Sequence, residues 1–207
     1  MKFNVLAVAS AFAVVSTAAA QSPRFNVHAI ISEGDDVVAA TVNDTDSLGT
    51  LQADVDTGSI GRVSTTVLST DVSFRVDSST SVISGFLGEC LGTGKYAIDG
   101  LQLVVVDWNW SSVSGSGSWK VLSSTGATVA SLSFTNGAYT STGGSFGTSP
   151  LGSVFLNLAA GNYTFLSSFS NGGTATSVVN FTFGAVPAPG ALVLLGAAGL
   201  AGSRRRR

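Results

Sequence analysis

The sequence has little of the residues on which most enzymatic and metal chemistry depends. Its 207 residues include one cysteine, Cys90, and one histidine, His28. A single cysteine excludes an intrachain disulfide, so the core alone must stabilise the fold. A single histidine excludes a zinc site built from several histidines. We therefore expect a protein that is not an enzyme.

Charge is also scarce and unevenly distributed. Charged residues make up 11% of the chain, against about 25% in typical soluble domains. Between residues 21 and 203, five basic residues stand against all twelve acidic ones, which disfavours a nucleic-acid partner. Every acidic residue lies at or before Asp107, and from Trp108 to Ser203 the only charged residue is Lys120. Hydroxyls, amides and glycines must keep the second half soluble.

The first twenty residues have the three parts of a secretory signal peptide. Lys2 gives a positive start, and an apolar run extends from Phe3 to Val15. Small residues follow, with Ala18 and Ala20 at the −3 and −1 positions. The alternative is a buried N-terminal helix. We expect residues 1–20 to be removed after Ala20 and the protein to be exported by the secretion machinery.

The other end of the chain, residues 186–207, has a proline motif, an apolar segment and a basic terminus. Every residue from Gly190 to Gly202 is apolar or glycine. As a helix, this segment would reach about 20 Å, less than the roughly 30 Å hydrocarbon core of a bilayer. The basic terminus should stay on the cytoplasmic side; its residues are Arg204, Arg205, Arg206 and Arg207. The alternative to processing is a plain membrane anchor.

This tail resembles the PEP-CTERM sorting signal. The matching proline motif is Val186-Pro187-Ala188-Pro189-Gly190, with Ala188 at the position of the glutamate in the family name. The resemblance implies a Gram-negative bacterium that makes extracellular polysaccharide. It also implies transient anchoring in the inner membrane, cleavage near Pro187 to Pro189 by an exosortase-type membrane transpeptidase, and delivery to the cell surface or outside the cell.

The segment between the two signals, residues 21–185, is predicted to be one antiparallel β-sandwich or jelly-roll-like domain. Residues Phe25–Ile31, Val129–Phe134 and Val178–Phe183 alternate between apolar and polar, as strands with one buried face do. The denser run Leu101–Trp110 is predicted to be covered on both faces. The Gly/Ser-rich stretch from Thr140 to Pro150 is predicted to be a long loop. Turn signals occur at residues 33–36, 56–58, 92–94, 115–117, 136–137, 143–144 and 171–173.

The segment Leu158-Ala-Ala-Gly161-Asn-Tyr163-Thr-Phe165 resembles a hairpin found near the end of many extracellular β-sandwich modules. The resemblance implies that Gly161 turns the chain and that Tyr163 and Phe165 return into the core. It supports a sandwich but no particular function.

The tryptophans offer one candidate ligand surface. Trp108 and Trp110 are two residues apart, so in a strand they share a face. If exposed, they could stack on sugar rings; if buried, they belong to the core, which is the interpretation we prefer. The segment Asp107–Trp110 is the first place to look for a ligand surface.

The acidic residues suggest calcium as a candidate metal. Asp44 and Asp46, and likewise Asp54 and Asp56, are spaced two apart in regions that resemble loops, and Ca²⁺ prefers several carboxylate and carbonyl oxygens. The alternative is that they are solvated turn residues. Asp56-Thr57-Gly58 also matches the short aspartic-protease signature, but no second copy supplies the partner carboxylate.

Together these observations predict an exported cell-surface or extracellular-matrix protein with a structural or adhesive role. The alternative is a carbohydrate-binding module of the extracellular polysaccharide matrix. A hydrolase is a third, weaker hypothesis.

Overall fold

A computed structural model describes residues 24–144 and 146–185. The predicted signal peptide and the predicted sorting tail lie outside the described residues. No helix long and apolar enough to cross a membrane occurs in the part of the chain that is described.

The described residues form thirteen strands, and their alternating sequences account for most of them. Odd and even positions of a strand point to opposite faces, so one face can bury valine, leucine and phenylalanine while the other carries serine and threonine. The strands are β1 (Phe25–Glu33), β2 (Asp36–Thr45), β3 (Gly49–Asp56), β4 (Gly61–Ser69), β5 (Ser73–Val82), β6 (Leu87–Ile98), β7 (Gln102–Trp110), β8 (Ser116–Ser123), β9 (Thr128–Thr135), β10 (Ala138–Thr142), β11 (Leu151–Leu158), β12 (Gly161–Asn171) and β13 (Thr174–Ala185).

These strands make two packed antiparallel sheets. The seven-stranded sheet has the order β10-β9-β8-β12-β6-β1-β2, and the six-stranded sheet has the order β11-β7-β13-β5-β4-β3. The prediction of an antiparallel β-sandwich is therefore confirmed. Aromatic side chains fill much of the space between the sheets; Phe165 of one sheet meets Phe181 of the other with ring centroids 5.1 Å apart.

Strand β7 differs from its prediction. Its inward positions, Val104, Val106, Trp108 and Trp110, are buried. Its outward positions include the exposed Asp107 and Asn109. The expectation that this run is covered on both faces is wrong, because two polar residues alternate with the tryptophans and leave one face open.

The turn signals fall into two groups. Asn136 and Gly137 join β9 to β10 with φ values of 47° and 79°, as a two-residue type I′ hairpin requires. Gly92 and Gly94, by contrast, lie inside β6. Their predicted turn is wrong, since these glycines make room for side chains of the facing sheet instead of turning the chain.

Two connections near the end of the domain pass from one sheet to the other. Strand β11 belongs to the six-stranded sheet, whereas β12, which begins at Gly161, belongs to the seven-stranded sheet. The implied hairpin at this position is therefore wrong. Phe165 is fully buried as expected, while Tyr163 is half-buried and its hydroxyl donates to the carbonyl of Ala159 at 3.2 Å. The chain returns to the six-stranded sheet after Asn171.

Half of the twelve acidic residues lie on one side of the sandwich. Strands β2 and β3 are the edges of the two sheets on that side. They and the turns beside them contain Asp35, Asp36, Asp44, Asp46, Asp54 and Asp56. Strands β10 and β11 are the edges on the other side and contain no charged residue. The fold thus places the acid-rich first half of the sequence and the charge-poor second half at opposite edges of the sandwich.

Candidate ligand surface

The tryptophans of β7 belong to the core. Trp108 and Trp110 are each 2% exposed, and their ring centroids lie 6.3 Å apart. The Nε1 of Trp108 donates to the carbonyl of Ser149 at 3.0 Å, and the ring of Trp110 lies 4.7 Å from that of Phe134 on β9. Their faces are therefore covered and are not available for stacking on a sugar.

Asp107 and Asn109, which alternate with the two tryptophans, point the other way and form an open surface. In the register of the sheet, Asp107 lies between Ser153 of β11 and Asn180 of β13. In the next row, Asn109 lies between Leu151 and Val178. These six residues line a shallow concavity of about 410 Å³ on the outer face of the six-stranded sheet. We call it the Asp107 surface.

The lining of the Asp107 surface is mostly apolar, and a few hydrogen-bonding groups lie within it. The carboxylate of Asp107 accepts hydrogen bonds, and the two amides both donate and accept. The Nδ2 of Asn180 donates to the Oγ1 of Thr182 at 3.0 Å, which orients that amide. Beside it on β5, the Nε of Arg75 donates to the carboxylate of Asp77 at 2.9 Å. Such a set suits a neutral, polyhydroxylated ligand better than an anionic one.

An exposed aromatic ring lies next to this surface. Phe155 of β11 is 66% exposed and is opposite Val105, one row from Ser153 and Asp107. Sequence reasoning missed this residue because Val154-Phe155-Leu156 reads as an apolar run. Strict alternation along β11 provides the missing signal. Phe155, like Ser153, occupies an odd-numbered position and faces outward, whereas the buried Leu156 and Leu158 occupy even-numbered positions.

The structure does not bring the four candidate calcium residues together. Asp46 accepts the backbone N–H of Arg24 at 2.8 Å, and Asp56 accepts that of Gly58 at 2.9 Å in the turn after β3. The Oδ1 of Asp54 lies 4.0 Å from the Nη2 of Arg62, and Asp44 is an exposed residue of β2. Within residues 24–144 and 146–185, no three His, Cys, Asp or Glu side chains form a group that could hold a metal ion. Calcium binding stays a prediction from the sequence.

The remaining reactive side chains lie apart from the Asp107 surface. His28 faces outward on β1, where partial burial lowers the pKa of its imidazole. Cys90 points inward, with its Sγ 3.5 Å from the carbonyl oxygen of Ser64, and burial raises the pKa of its thiol. A Gly-x-Ser-x-Gly spacing occurs at residues 143–147, but the next element is strand β11, not the helix that follows a nucleophile elbow.

Comparisons with known proteins give no family. No family model matches the chain, and no curated protein matches it. Among solved structures, the chain is similar to a carbohydrate-binding module of family CBM36 in complex with calcium and xylotriose, at 13% identity and a TM-score of 0.29, over 65% of this chain and 89% of that one. It is also similar to an arabinose-bound GH51 α-L-arabinofuranosidase, at 15% identity and a TM-score of 0.29, over 64% of this chain and 23% of the enzyme.

Proposed function

We propose that this chain is an exported protein of the bacterial cell surface or extracellular matrix, and that its β-sandwich has an adhesive role, holding polysaccharide without cleaving it. The observation that supports this role best is the Asp107 surface, a shallow and mostly apolar concavity in which a carboxylate and two amides lie beside Leu151 and Val178. Sugars are recognised by such hydrogen-bonding groups together with apolar contacts to their ring faces. An open face also admits a ligand that is longer than the site.

The sorting part of the proposal is supported by the tail sequence and by where the domain ends. Phe25 begins β1 opposite Gly94, and Ala185 ends β13 opposite Gln102. The rings of Phe25 and Phe183 both contact that of Tyr96, at 5.7 and 4.7 Å between centroids. Both termini of the described domain therefore lie at the same end of the sandwich. A tail that leaves from this end would leave the outer sheet faces accessible.

Mass spectrometry of the protein released by the producing cells tests the sorting. We expect a mature N-terminus at Gln21 and no peptide beyond about Pro189. A variant in which Arg204–Arg207 are replaced by glutamine should accumulate as the uncut precursor. Recovery of the intact arginine run from the mature protein would overturn the processing.

Binding of extracellular polysaccharide from the producing strain tests the adhesive role. Affinity electrophoresis should show retardation of the protein, reduced about tenfold in apparent affinity by Asp107→Ala or Asn180→Ala, since each removes a hydrogen-bonding group worth about 1.5 kcal/mol. Thr50→Ala is the matched control, because Thr50 is exposed on the far edge of the same sheet face. No retardation of the wild-type protein would reject polysaccharide binding and leave a purely structural role. Equal retardation of all variants would reject the Asp107 surface as the binding site.

A further inference from the structure

Two of the four sheet edges are connected to each other. Strands β2 and β3 end the two sheets on the acidic side. The Oγ1 of Thr41 donates to the carbonyl of Asp54 at 2.8 Å, and the Nδ2 of Asn43 donates to the carbonyl of Gln52 at 2.5 Å. Side chains of one edge thus occupy backbone groups of the other, and this side of the sandwich is closed.

Strand β11, on the opposite side, contains within its own eight residues none of the sequence features that commonly protect an edge. All eight residues pair with β7 in unbroken register, and no other strand of the described chain pairs with its second side. It contains no proline, no charge and no bulge. Leu151 and Phe155 are 64% and 66% exposed. Natural edge strands are usually blocked by lysine, proline, a bulge or a covering loop, and an unblocked one is a template for another strand.

Charge favours a second copy of this chain as the occupant. Each domain is acidic, so two copies repel each other wherever their β2 and β3 sides approach. Approach through β11 avoids this, since the nearest carboxylate on that side is Asp107 of β7. With strands about 4.8 Å apart, the two Asp107 residues of a pair would be separated by at least three strand spacings, about 14 Å. That exceeds the Debye length of about 8 Å at physiological ionic strength.

We propose that two copies pair antiparallel through β11 and form one continuous twelve-stranded sheet. The outer faces of the two copies must lie on the same side of the joined sheet. Two residues that pair across the β11–β11 contact must therefore both point outward or both point inward. The register that places Phe155 opposite Phe155 of the second copy satisfies this condition and sets Ser153 opposite Asn157. It joins the two exposed rings in a cross-strand aromatic pair, with Cβ atoms about 5 Å apart. The pairing does not depend on what the Asp107 surface binds.

Disulfide trapping in the full chain, expressed in the producing cells, tests the register. Under mild oxidation, Phe155→Cys should give a covalent dimer, because the two introduced thiols face each other across the twofold axis. Val42→Cys is the matched control, since Val42 is 52% exposed on the opposite edge strand β2. The native Cys90 is buried and should not contribute. No dimer from Phe155→Cys, or equal dimer from both variants, overturns the proposal.

Sedimentation velocity of the purified chain gives the second test. Phe155→Lys should weaken the dimer about tenfold or more, because the aromatic pair is lost and two like charges are placed opposite each other. Val42→Lys should leave the association unchanged. Both sites are exposed, so urea unfolding should confirm that each variant is folded. A wild-type chain that is monomeric at every concentration up to its solubility limit would refute the pairing. The polysaccharide test uses Asp107 and Asn180, so its failure is distinguishable from this one.

Discussion

Replacing Gly94 by alanine tests how closely the two sheets pack. Gly94 lies in the middle of β6, on the face turned toward the core. A Cβ atom at this position would lie 2.6 Å from Cε2 and 2.7 Å from Cδ2 of Phe74, closer than non-bonded carbons approach. The Phe74 ring is fully buried and has Phe25 and Phe181 as neighbours, with centroids at 6.4 and 5.9 Å. It has little freedom to move away.

The expected magnitude follows from two opposing effects. Overpacking a well-packed core costs about 1–3 kcal/mol, and the enclosed ring places Gly94→Ala in the upper part of that range. Alanine also restricts the unfolded chain more than glycine does, which returns about 0.5–1 kcal/mol. We therefore expect a net loss of about 1–2 kcal/mol in the free energy of unfolding. For a domain of this size, the melting temperature should fall by about 2–8 °C.

Urea unfolding followed by tryptophan fluorescence measures this change, because Trp108, Trp110 and Trp119 are all buried. The matched control is Thr93→Ala, one residue away on the outward face of β6. The double variant Gly94→Ala with Phe74→Leu should recover part of the loss relative to the sum of the single changes. If Gly94→Ala unfolds at the same or a higher urea concentration than wild type, the close approach is not rigid and the reasoning fails.

Three further outcomes follow from buried side chains. Trp108→Ala should lower the free energy of unfolding by about 3–5 kcal/mol, and a loss below about 1 kcal/mol in a denaturant titration would contradict its place in the core. The hydroxyl of Tyr96 donates to the carbonyl of Ser73 at 3.1 Å, and burial raises the pKa of Tyr96 above its usual range. Its contribution to stability should therefore be complete below about pH 10, the unfolded value, and be lost as the pH rises further. Urea titrations across this range should show a smaller decline for Tyr96→Phe than for wild type; an identical decline would assign the effect elsewhere. The Cys90 side chain is 3% exposed, and its thiol should react with Ellman's reagent no faster than the protein opens, so rapid labelling of the native chain would show that the thiol is accessible.

Alternation predicted the strands well and glycine predicted the turns unevenly. Segments such as Phe25–Ile31 became strands with the expected buried face, since burial of one face selects residues with a period of two. Glycine is ambiguous because it serves two different needs. Gly137 is required by its positive φ, whereas Gly94 is required by a phenylalanine from the facing sheet. The requirement for glycine at position 94 depends on packing against a residue distant in sequence, so a local sequence pattern does not reveal it.

The candidate surface could be located only in part from the sequence. The segment Asp107–Trp110 was identified as a candidate, but the pairing that completes its surface joins β7 to β11 and β13. Ser153 and Asn180 are far from Asp107 in the chain and become its neighbours through the register of these strands. The order of strands in a sheet reflects which faces must be buried together, and a single sequence without known pairings does not specify it.

The separation of charge connects the fold to the proposed adhesive role. The last acidic residue, Asp107, precedes all the strands from β8 to β12. Because β8, β9 and β10 extend the seven-stranded sheet away from β1 and β2, and β11 ends the other sheet on the same side, the charge-poor half of the sequence forms one lateral side of the sandwich. Net negative charge makes acidic proteins repel one another in solution. Two copies are therefore expected to approach most easily through the side that carries few charged residues. Strand β11 lies at that position with no strand of the described residues on its second side, and pairing there would place two Asp107 surfaces on one face of a continuous sheet. A flexible polysaccharide bound at both would be held by two contacts, whose combined affinity exceeds that of either alone.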